Sequence, residues 1–384
     1  MGGSTLTRVA MELLSRRYEA FRVRSPGDTA SCEALVEGVR RGELRRAGDA
    51  RAIETGAIDE ARAEGELFAV RERKSGRIVG CVRGIFARSV ADHESTRGEY
   101  RLDVIPPALV DRTGIAARMV VLPEHRKSAA SLVLTRALYQ YSVRECGLVL
   151  FCVSCEPALL ALYTAMGYRP IGRVWAKSTG GYRVPTLLVG HDLEHMEAIR
   201  SPLLPVLRGT PRPWPEDAVR WFRGVAPSLP DPGVHRWRDA DHPSLRMMLE
   251  GLSSAGRRTL LEHAMLVEGR PGDLAFREGD GVRGLAIVID GSVDAVRGGA
   301  KVAELGAGGI LGITTTVLGG AREASAVVSR PGTRLLLLSR GAHERLRSPA
   351  DQAALWRNLS RLLARRLSDR LPLVEGGAAA LEVA

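Results

Sequence analysis

Six consecutive residues, Arg126-Lys127-Ser128-Ala129-Ala130-Ser131, stand where an apolar run ending in Val120-Val121-Leu122-Pro123 gives way to a helical one. A strand that turns straight into a helix through small and basic residues aims backbone N–H groups and the positive end of the helix dipole at one spot. Phosphate-like charge is favoured there. The alternative reading is an ordinary strand–helix junction. Further on, Leu159-Leu-Ala-Leu-Tyr-Thr-Ala-Met-Gly-Tyr168 reads as a helix that carries Tyr163 and ends on Gly167 as its C-terminal cap. Glu99, Asp103 and Glu124 are candidate bases, with Glu156 close to a helix start; each also reads as a surface carboxylate. Cys155 has no histidine at partner spacing and reads as packing rather than as a nucleophile.

These groups need a frame. Residues 5–24 place Leu6, Val9, Leu13, Leu14 and Phe21 at helical spacing, and Ser25-Pro26-Gly27 reads as the stop of that helix. A second helix follows from Cys32 to Arg45. Leu67–Arg73 and Arg77–Ile85 flank Lys74-Ser-Gly76, a hairpin signal. A strand at 115–122, a helix at 128–146, a strand at 147–154, a helix at 157–166 and a strand at 186–193 complete the first half. From Arg200 to Asp241 the chain is rich in proline and reads as a linker or wrapping segment, with one short helical candidate at 215–225. Beyond it, short strands punctuated by glycine (264–267, 273–277, 284–296, 302–305) suggest a small barrel or jelly roll. Asp351–Leu371 is an amphipathic helix whose leucines face either the chain's own core or a dimer seam.

Length and composition agree with this division. At 384 residues the chain is long enough for two or three domains. No apolar run approaches the roughly 20 residues that span a bilayer, and no signal-peptide pattern opens the chain. Met1-Gly2 suggests lipidation, but Leu6 stands where the myristoylation motif wants Ser or Thr. The five cysteines give no two-pair zinc spacing, so no metal site is expected, and reduced thiols in a cytoplasm fit the odd number. The net charge of +11 reads either as an arginine-rich solvated surface or as a match for an acidic partner: nucleic acid, anionic lipid or acyl carrier protein. No zinc-finger, aromatic RNA-binding or helix-turn-helix motif accompanies it, so DNA is not an expected partner.

The unit from Val120 to Gly172 resembles the GNAT superfamily of N-acyltransferases, whose strand–loop–helix holds the pantetheine-pyrophosphate arm of an acyl thioester. The superfamily loop usually carries two glycines; here the arginine is kept as Arg126 and the glycines are replaced by Ala129 and Ser131. A narrower resemblance lies in Cys155-Glu-Pro-Ala-Leu-Leu-Ala-Leu-Tyr163, Met166-Gly-Tyr-Arg-Pro-Ile-Gly172, Tyr182-Arg-Val-Pro185 and Asp192-Leu-Glu-His195 with Ser201-Pro202. These are similar to the N-acyl amino acid synthase branch, related to acyl-homoserine-lactone synthases. The resemblance implies that Arg118, Val120, Val121, Leu122, Arg126, Lys127, Ser128, Ala129, Ala130 and Ser131 line the donor channel. It implies Tyr163 as the acid for the leaving thiolate, and leaves the base open among Glu99, Asp103 and Glu124. It implies acyl carrier protein or a coenzyme A thioester as donor, a small amine as acceptor that Arg83 and Arg17 could orient, and no permanently bound cofactor.

The second half resembles the cyclic-nucleotide-binding domain family through Phe276-Arg-Glu-Gly-Asp280, Leu285–Val293, Val302–Gly308 and Leu311-Gly312. Gly312, Ile313, Thr314 and Arg322 then stand in the ligand cassette, with Arg322 at the phosphate-binding arginine. Ile313 replaces the glutamate that accepts from the ribose hydroxyl, which an apolar side chain cannot do. Glu323 adds negative charge beside the expected phosphate.

The expected fold is α+β. A GNAT-like mixed sheet with flanking helices (1–200) is followed by a proline-rich linker (201–242), a β-roll or jelly-roll domain with a C-terminal helix (243–373) and a flexible tail (374–384). The expected function is that of a cytoplasmic bacterial N-acyltransferase moving a fatty acyl group to an amino acid or similar amine, without stable membrane insertion and with homodimerisation left open. The alternatives are a non-catalytic sensor or scaffold, and a protein lysine acetyltransferase using acetyl-CoA under nucleotide control.

Overall fold

The computed structural model describes residues 16–368, apart from 46–63, 127, 178–180, 238, 240, 263, 280–283, 319–320 and 340–341. Lys127, most of the expected first helix and the expected tail lie outside the described residues. The first half is an α+β unit built on one sheet. Its elements are β1 (Tyr18–Arg22), α1 (Pro26–Arg45), β2 (Gly65–Glu72), β3 (Ile78–Phe86), α2 (Glu94–Tyr100), β4 (Thr113–Val121), α3 (Ala130–Arg144), β5 (Leu150–Cys155), α4 (Leu160–Met166), β6 (Arg169–Pro170), β7 (Trp175–Ala176) and β8 (Tyr182–Val189). The strand order is β1-β2-β3-β4-β5-β8-β6, with β7 also on β8.

Two expectations fail at the start. Residues 18–22 are a strand, because each pairs with a β2 residue from Glu72 back to Phe68. Ser25-Pro26-Gly27 starts a helix instead of stopping one. The Asp28 N–H donates to Ser25 Oγ at 3.0 Å, the Ser25 hydroxyl donates to the Asp28 carboxylate at 2.8 Å, and Pro26 sits where its missing N–H costs nothing.

The parallel junction between β4 and β5 is short. It pairs Thr113 with Leu150, Gly114 with Phe151 and Ile115 with Cys152. Beyond these, β4 runs on to Val121 and β5 to Cys155 with no ladder between them. The cause lies on β4's other edge. Val120 pairs with Cys81 but Ala117 with Arg83, so Arg118 and Met119 together oppose Val82 in a β-bulge. Arg118 takes φ 50°, a left-handed conformation that costs an L-residue roughly 1–2 kcal/mol. A bulge bends and twists its strand, turning β4 away from β5.

Alternation then separates two faces. Phe151, Val153 and Cys155 share a core with Tyr139 and Val143 of α3. Leu150 and Cys152 share another with Tyr100 and Leu102, beside α2. The helix α3 exists because Leu134, Leu138, Tyr139, Ser142 and Val143 recur at three- and four-residue spacing and are buried on the sheet.

The proline-rich stretch is packed. Leu203 and Leu207 are fully buried, α5 (Asp217–Val225) buries Ala218 and Phe222, and β9 (Val234–Arg236) pairs with the next strand, β10 (Met265–Gly269). The barrel continues with β11 (Leu274–Phe276), β12 (Gly284–Asp290), β13 (Val293–Arg297), β14 (Ala300–Leu305), β15 (Ile310–Leu311), β16 (Ser325–Val328) and β17 (Thr333–Ser339). Its sheets run β15-β12-β17-β10-β9 and β11-β16-β13-β14. The helix α6 (Pro349–Ser368) turns Leu355 and Leu359 into the chain's own core. Barrel residues Val267, Val288 and Val328 share one core with Tyr182 and Val184 of β8, so the two halves meet without a water-filled seam at that point. Among the described residues no helix is long and apolar enough to cross a membrane.

Candidate functional site

The parting of β4 and β5 leaves the inner edge of β4 from Ala116 to Val121 without a strand partner, so backbone N–H groups there can meet a carbonyl oxygen. Beneath the gap, on the α3 side, a narrow cavity of about 30 Å³ is lined by Gly84, Gly114, Met119, Leu138 and Tyr163. That is room for about two waters. Glu66 and Tyr141 also line the cavity, and the Tyr141 hydroxyl donates to the Glu66 carboxylate at 3.3 Å.

Tyr163 is half-buried at this cavity, its ring edge-on to Tyr168 with centroids 5.4 Å apart. Its hydroxyl has no hydrogen-bond partner among the described residues. Burial pushes the phenol up to about 12, with Cys155 and Glu156 adding to the shift. Cys155, 3 % exposed, is itself pushed to about 12 by burial and stays a thiol, consistent with packing.

The carboxylates divide. Glu99 is buried on α2, on the opposite face of the sheet from Tyr163, with Lys177 Nζ 3.8 Å from its carboxylate. Asp103 is held by the Arg101 guanidinium at 2.9 and 3.0 Å and is half-exposed, which commits it to that ion pair. Glu124 and Glu156 are exposed, 3.5 Å from Arg77 and Arg183 respectively.

The loop after β4 is less open than its sequence suggests. Val120, Val121 and Leu122 are half-buried and Arg126 is exposed, with its Nε donating to the Val121 carbonyl at 3.1 Å. Ser128 Oγ donates to the His125 carbonyl at 2.6 Å and accepts from the Ala130 N–H at 3.2 Å. Ala129 and Ala130 are 0 % exposed and pack with Tyr18, Phe68 and Val70. Their methyls fill the core, and the Ala130 amide is bonded to Ser128; among the described residues from 126 to 131, Arg126, Ser128 and Ser131 keep exposed surface. His125, not singled out by the sequence, anchors it: its Nδ1 lies 2.9 Å from the Tyr18 hydroxyl. No local signal could have shown this, because the partners are separated by the whole β1–β4 span. Of the arginines expected to orient an acceptor, Arg17 is spent on Glu72, whereas Arg83 lies on β3 level with Ala117.

The barrel's cassette also differs from its expectation. Arg322 is 4 % exposed, donates to the Gly284 carbonyl at 2.5 Å and lies 4.0 Å over the Phe276 ring. It presses against Gly312, where a Cβ would sit 1.8 Å from Nη1 at a φ of +82°. Ile313 is 0 % exposed in the apolar core and Thr314 half-buried beside it. Glu323 turns outward to Arg297, 3.1 Å away, so it does not oppose the cassette. The cassette departs from the family pattern at two points: Arg322 spends Nη2 on the Gly284 carbonyl, and Ile313 carries no acceptor for a ribose hydroxyl. Among the described residues no group of three or more His, Cys, Asp or Glu is placed to hold a metal.

No curated protein matches the chain significantly. Among solved structures, the catabolite activator protein of Thermus thermophilus matches 32 % of this chain at 30 % identity and a TM-score of 0.28; the chain spans 59 % of that protein's length. A cyclic nucleotide-binding domain from Methylobacillus flagellatus matches 41 % of this chain and 97 % of its own at 24 % identity, with a TM-score of 0.32. FeeM, an N-acyl amino acid synthase from uncultured soil microbes, matches over the first half: 49 % of this chain and 97 % of that one, 14 % identity, TM-score 0.36. Residues 266–348, in the second half of the chain, match the cyclic nucleotide-binding domain family.

Proposed function

We propose that the protein is an N-acyltransferase that moves an aliphatic acyl group from a pantetheine thioester to a small amine, with an amino acid as acceptor. The observation that carries this is the short β4–β5 ladder with its bulge at Arg118, which opens a gap bordered by unpaired strand amides above an apolar cavity. In this reading the thioester carbonyl sits in the gap, polarised by a β4 amide. The amine attacks, a C–N bond forms and the C–S bond breaks. Of the protons released by the ammonium, one ends on the thiol and the other in solvent. Residues 1–200 form the transferase unit, and 243–373 an appended barrel.

Tyr163 serves the leaving group as a hydrogen-bond donor. At a pKa of about 12 against about 8.5 for a thiol, full transfer of its proton is uphill by about 3.5 units, or roughly 5 kcal/mol. Acyl carrier protein suits the loop better than coenzyme A, because the buried Ala129 and Ala130 withhold two amides from a pyrophosphate. A non-catalytic scaffold is the second reading, favoured by the narrowness of the cavity. Nucleotide-controlled acetylation of protein lysines is disfavoured by the engaged Arg322.

The test is thiol release from acyl carrier protein and, separately, acyl-CoA of graded chain length, with pooled amino acids. Release that depends on an amino acid supports the transferase; none from any donor, with the protein folded, supports the scaffold.

A further inference from the structure

A row of polar side chains crosses the sheet where β4 and β5 part, on the face away from Tyr163. Register defines it. Arg83 pairs with Ala117, which stands two residues past the last β4–β5 pair, Ile115 with Cys152; Ser154 stands equally far past Cys152. Ser154 pairs with Pro185, and Arg183 with Trp175. Alternation gives the face: Cys152 and Leu187 belong to the core beside α2, whereas Val153, Tyr182 and Val184 belong to the other. The Lys177–Glu99 contact at 3.8 Å independently brings the β7 end of the row under α2.

Three groups in this place are buried with no hydrogen-bond partner among the described residues: Thr96 Oγ1, Ser154 Oγ and Trp175 Nε1. Thr96, on α2, is 0 % exposed. Buried polar groups are nearly always bonded, so three together call for a ligand that bonds them. Their chemistry is one-sided. A tryptophan N–H and a guanidinium only donate and the two hydroxyls can donate, which matches an acceptor-only group such as a carboxylate. Glu99 supplies the opposite character beside them. Arg183 donates from Nη1 to the Tyr182 carbonyl at 3.1 Å and stands 3.5 Å from the exposed Glu156.

We propose that this row is the acceptor site, and that it takes an α-amino acid: the carboxylate on Arg183, Trp175 and Ser154, the amine toward Glu99 and the β4–β5 gap. The proposal rests on the transferase reading, since it puts the amine on one face of the gap and the thioester's apolar tail on the other. Arg183, Trp175 and Ser154 then act as specificity-determining residues.

The experiment is isothermal titration of the full-length protein with each common amino acid and with the corresponding amino acid amide. At least one acid should bind, its amide at least tenfold more weakly, and Arg183→Gln should weaken the acid by tenfold or more without changing the amide. Ser154→Ala, a smaller change, should move the same preference in the same direction, and thermal melts establish that both variants fold. Equal affinity for acid and amide, no binding of any acid, or an unchanged preference in both folded variants overturns the site. An amino acid that binds but never drives thiol release removes the transferase reading and leaves the site. Thiol release driven by plain alkylamines, with no amino acid bound, does the reverse.

Discussion

Replacing Tyr163 with phenylalanine separates the chemistry from the fold. The ring keeps its edge-on contact with Tyr168 at 5.4 Å, and the lost hydroxyl has no partner among the described residues. Stability should therefore change by no more than about 0.5 kcal/mol. Catalysis should change by more. A hydrogen bond to a charged thiolate contributes about 1.5–3 kcal/mol, so kcat/KM for thiol release should fall by about 10- to 150-fold. A true proton donor would be worth 10²–10⁴. With the phenol held at about 12, it stays protonated through the alkaline range in which enzymes are assayed, and the wild-type rate should show no limb assignable to it below about pH 11. Single-turnover thiol release from a loaded carrier protein, measured from pH 6 to 10 in both proteins, reads both quantities. A Phe variant within twofold of wild type refutes the role. So does an alkaline limb near pH 9 that the substitution abolishes, because that limb would be the phenol ionising far below its expected range.

The remaining predictions concern the frame and the barrel. Burial, aided by Arg112, lowers the His191 imidazole to about 4 against about 6.5 unfolded, so its contribution to stability is complete above pH 6.5. It is lost on acidification toward pH 4, a total of about 3 kcal/mol; denaturant melts at pH 7.5 and 5 should show the slope, and His191→Gln should flatten it. At the bulge, Arg118→Val should destabilise by about 1–2 kcal/mol while Arg118→Gly does not, since only glycine takes φ 50° freely; thermal melts compare them. In the barrel, Gly312→Ala should lower the melting temperature, because its Cβ would sit 1.8 Å from Arg322 Nη1. Cyclic AMP and cyclic GMP should leave the melting temperature of the wild-type protein unchanged; a saturable rise would show that Arg322 leaves the Gly284 carbonyl for a phosphate.

What could be read locally was read from local causes. The hairpin around Lys74-Ser-Gly76 is set by Gly76 at φ 69°, and α3 by its apolar period; α4 closes on Gly167 at φ 115°. The glycine-punctuated strands of the second half follow from the same turn chemistry, as at Gly291, φ 78°, which splits the run 284–296 into β12 and β13. Ser25-Pro26-Gly27 shows where such signals are two-sided. A serine before proline both ends one element and caps the next, and only the pairing of residues 18–22 with β2 says which. The composition of the loop after β4 was equally legible, but not that Ala129 and Ala130 point inward, because their burial is supplied by Tyr18 and Phe68 from other strands.

The amino-acid sequence by itself determined the α+β class, the β2–β3 hairpin, the run β4–α3–β5–α4, and the presence of Tyr163, Glu99 and Arg322. Those depend on period, turn residues and side-chain type, which act over a few residues. Tertiary structure alone decided that β4 and β5 part after Ile115, that Tyr163 and Glu99 lie on opposite faces of that gap, and that Arg322 is held by Gly284. Register, bulge position and burial come from contacts between residues far apart in the chain, and no local pattern encodes which of those contacts wins.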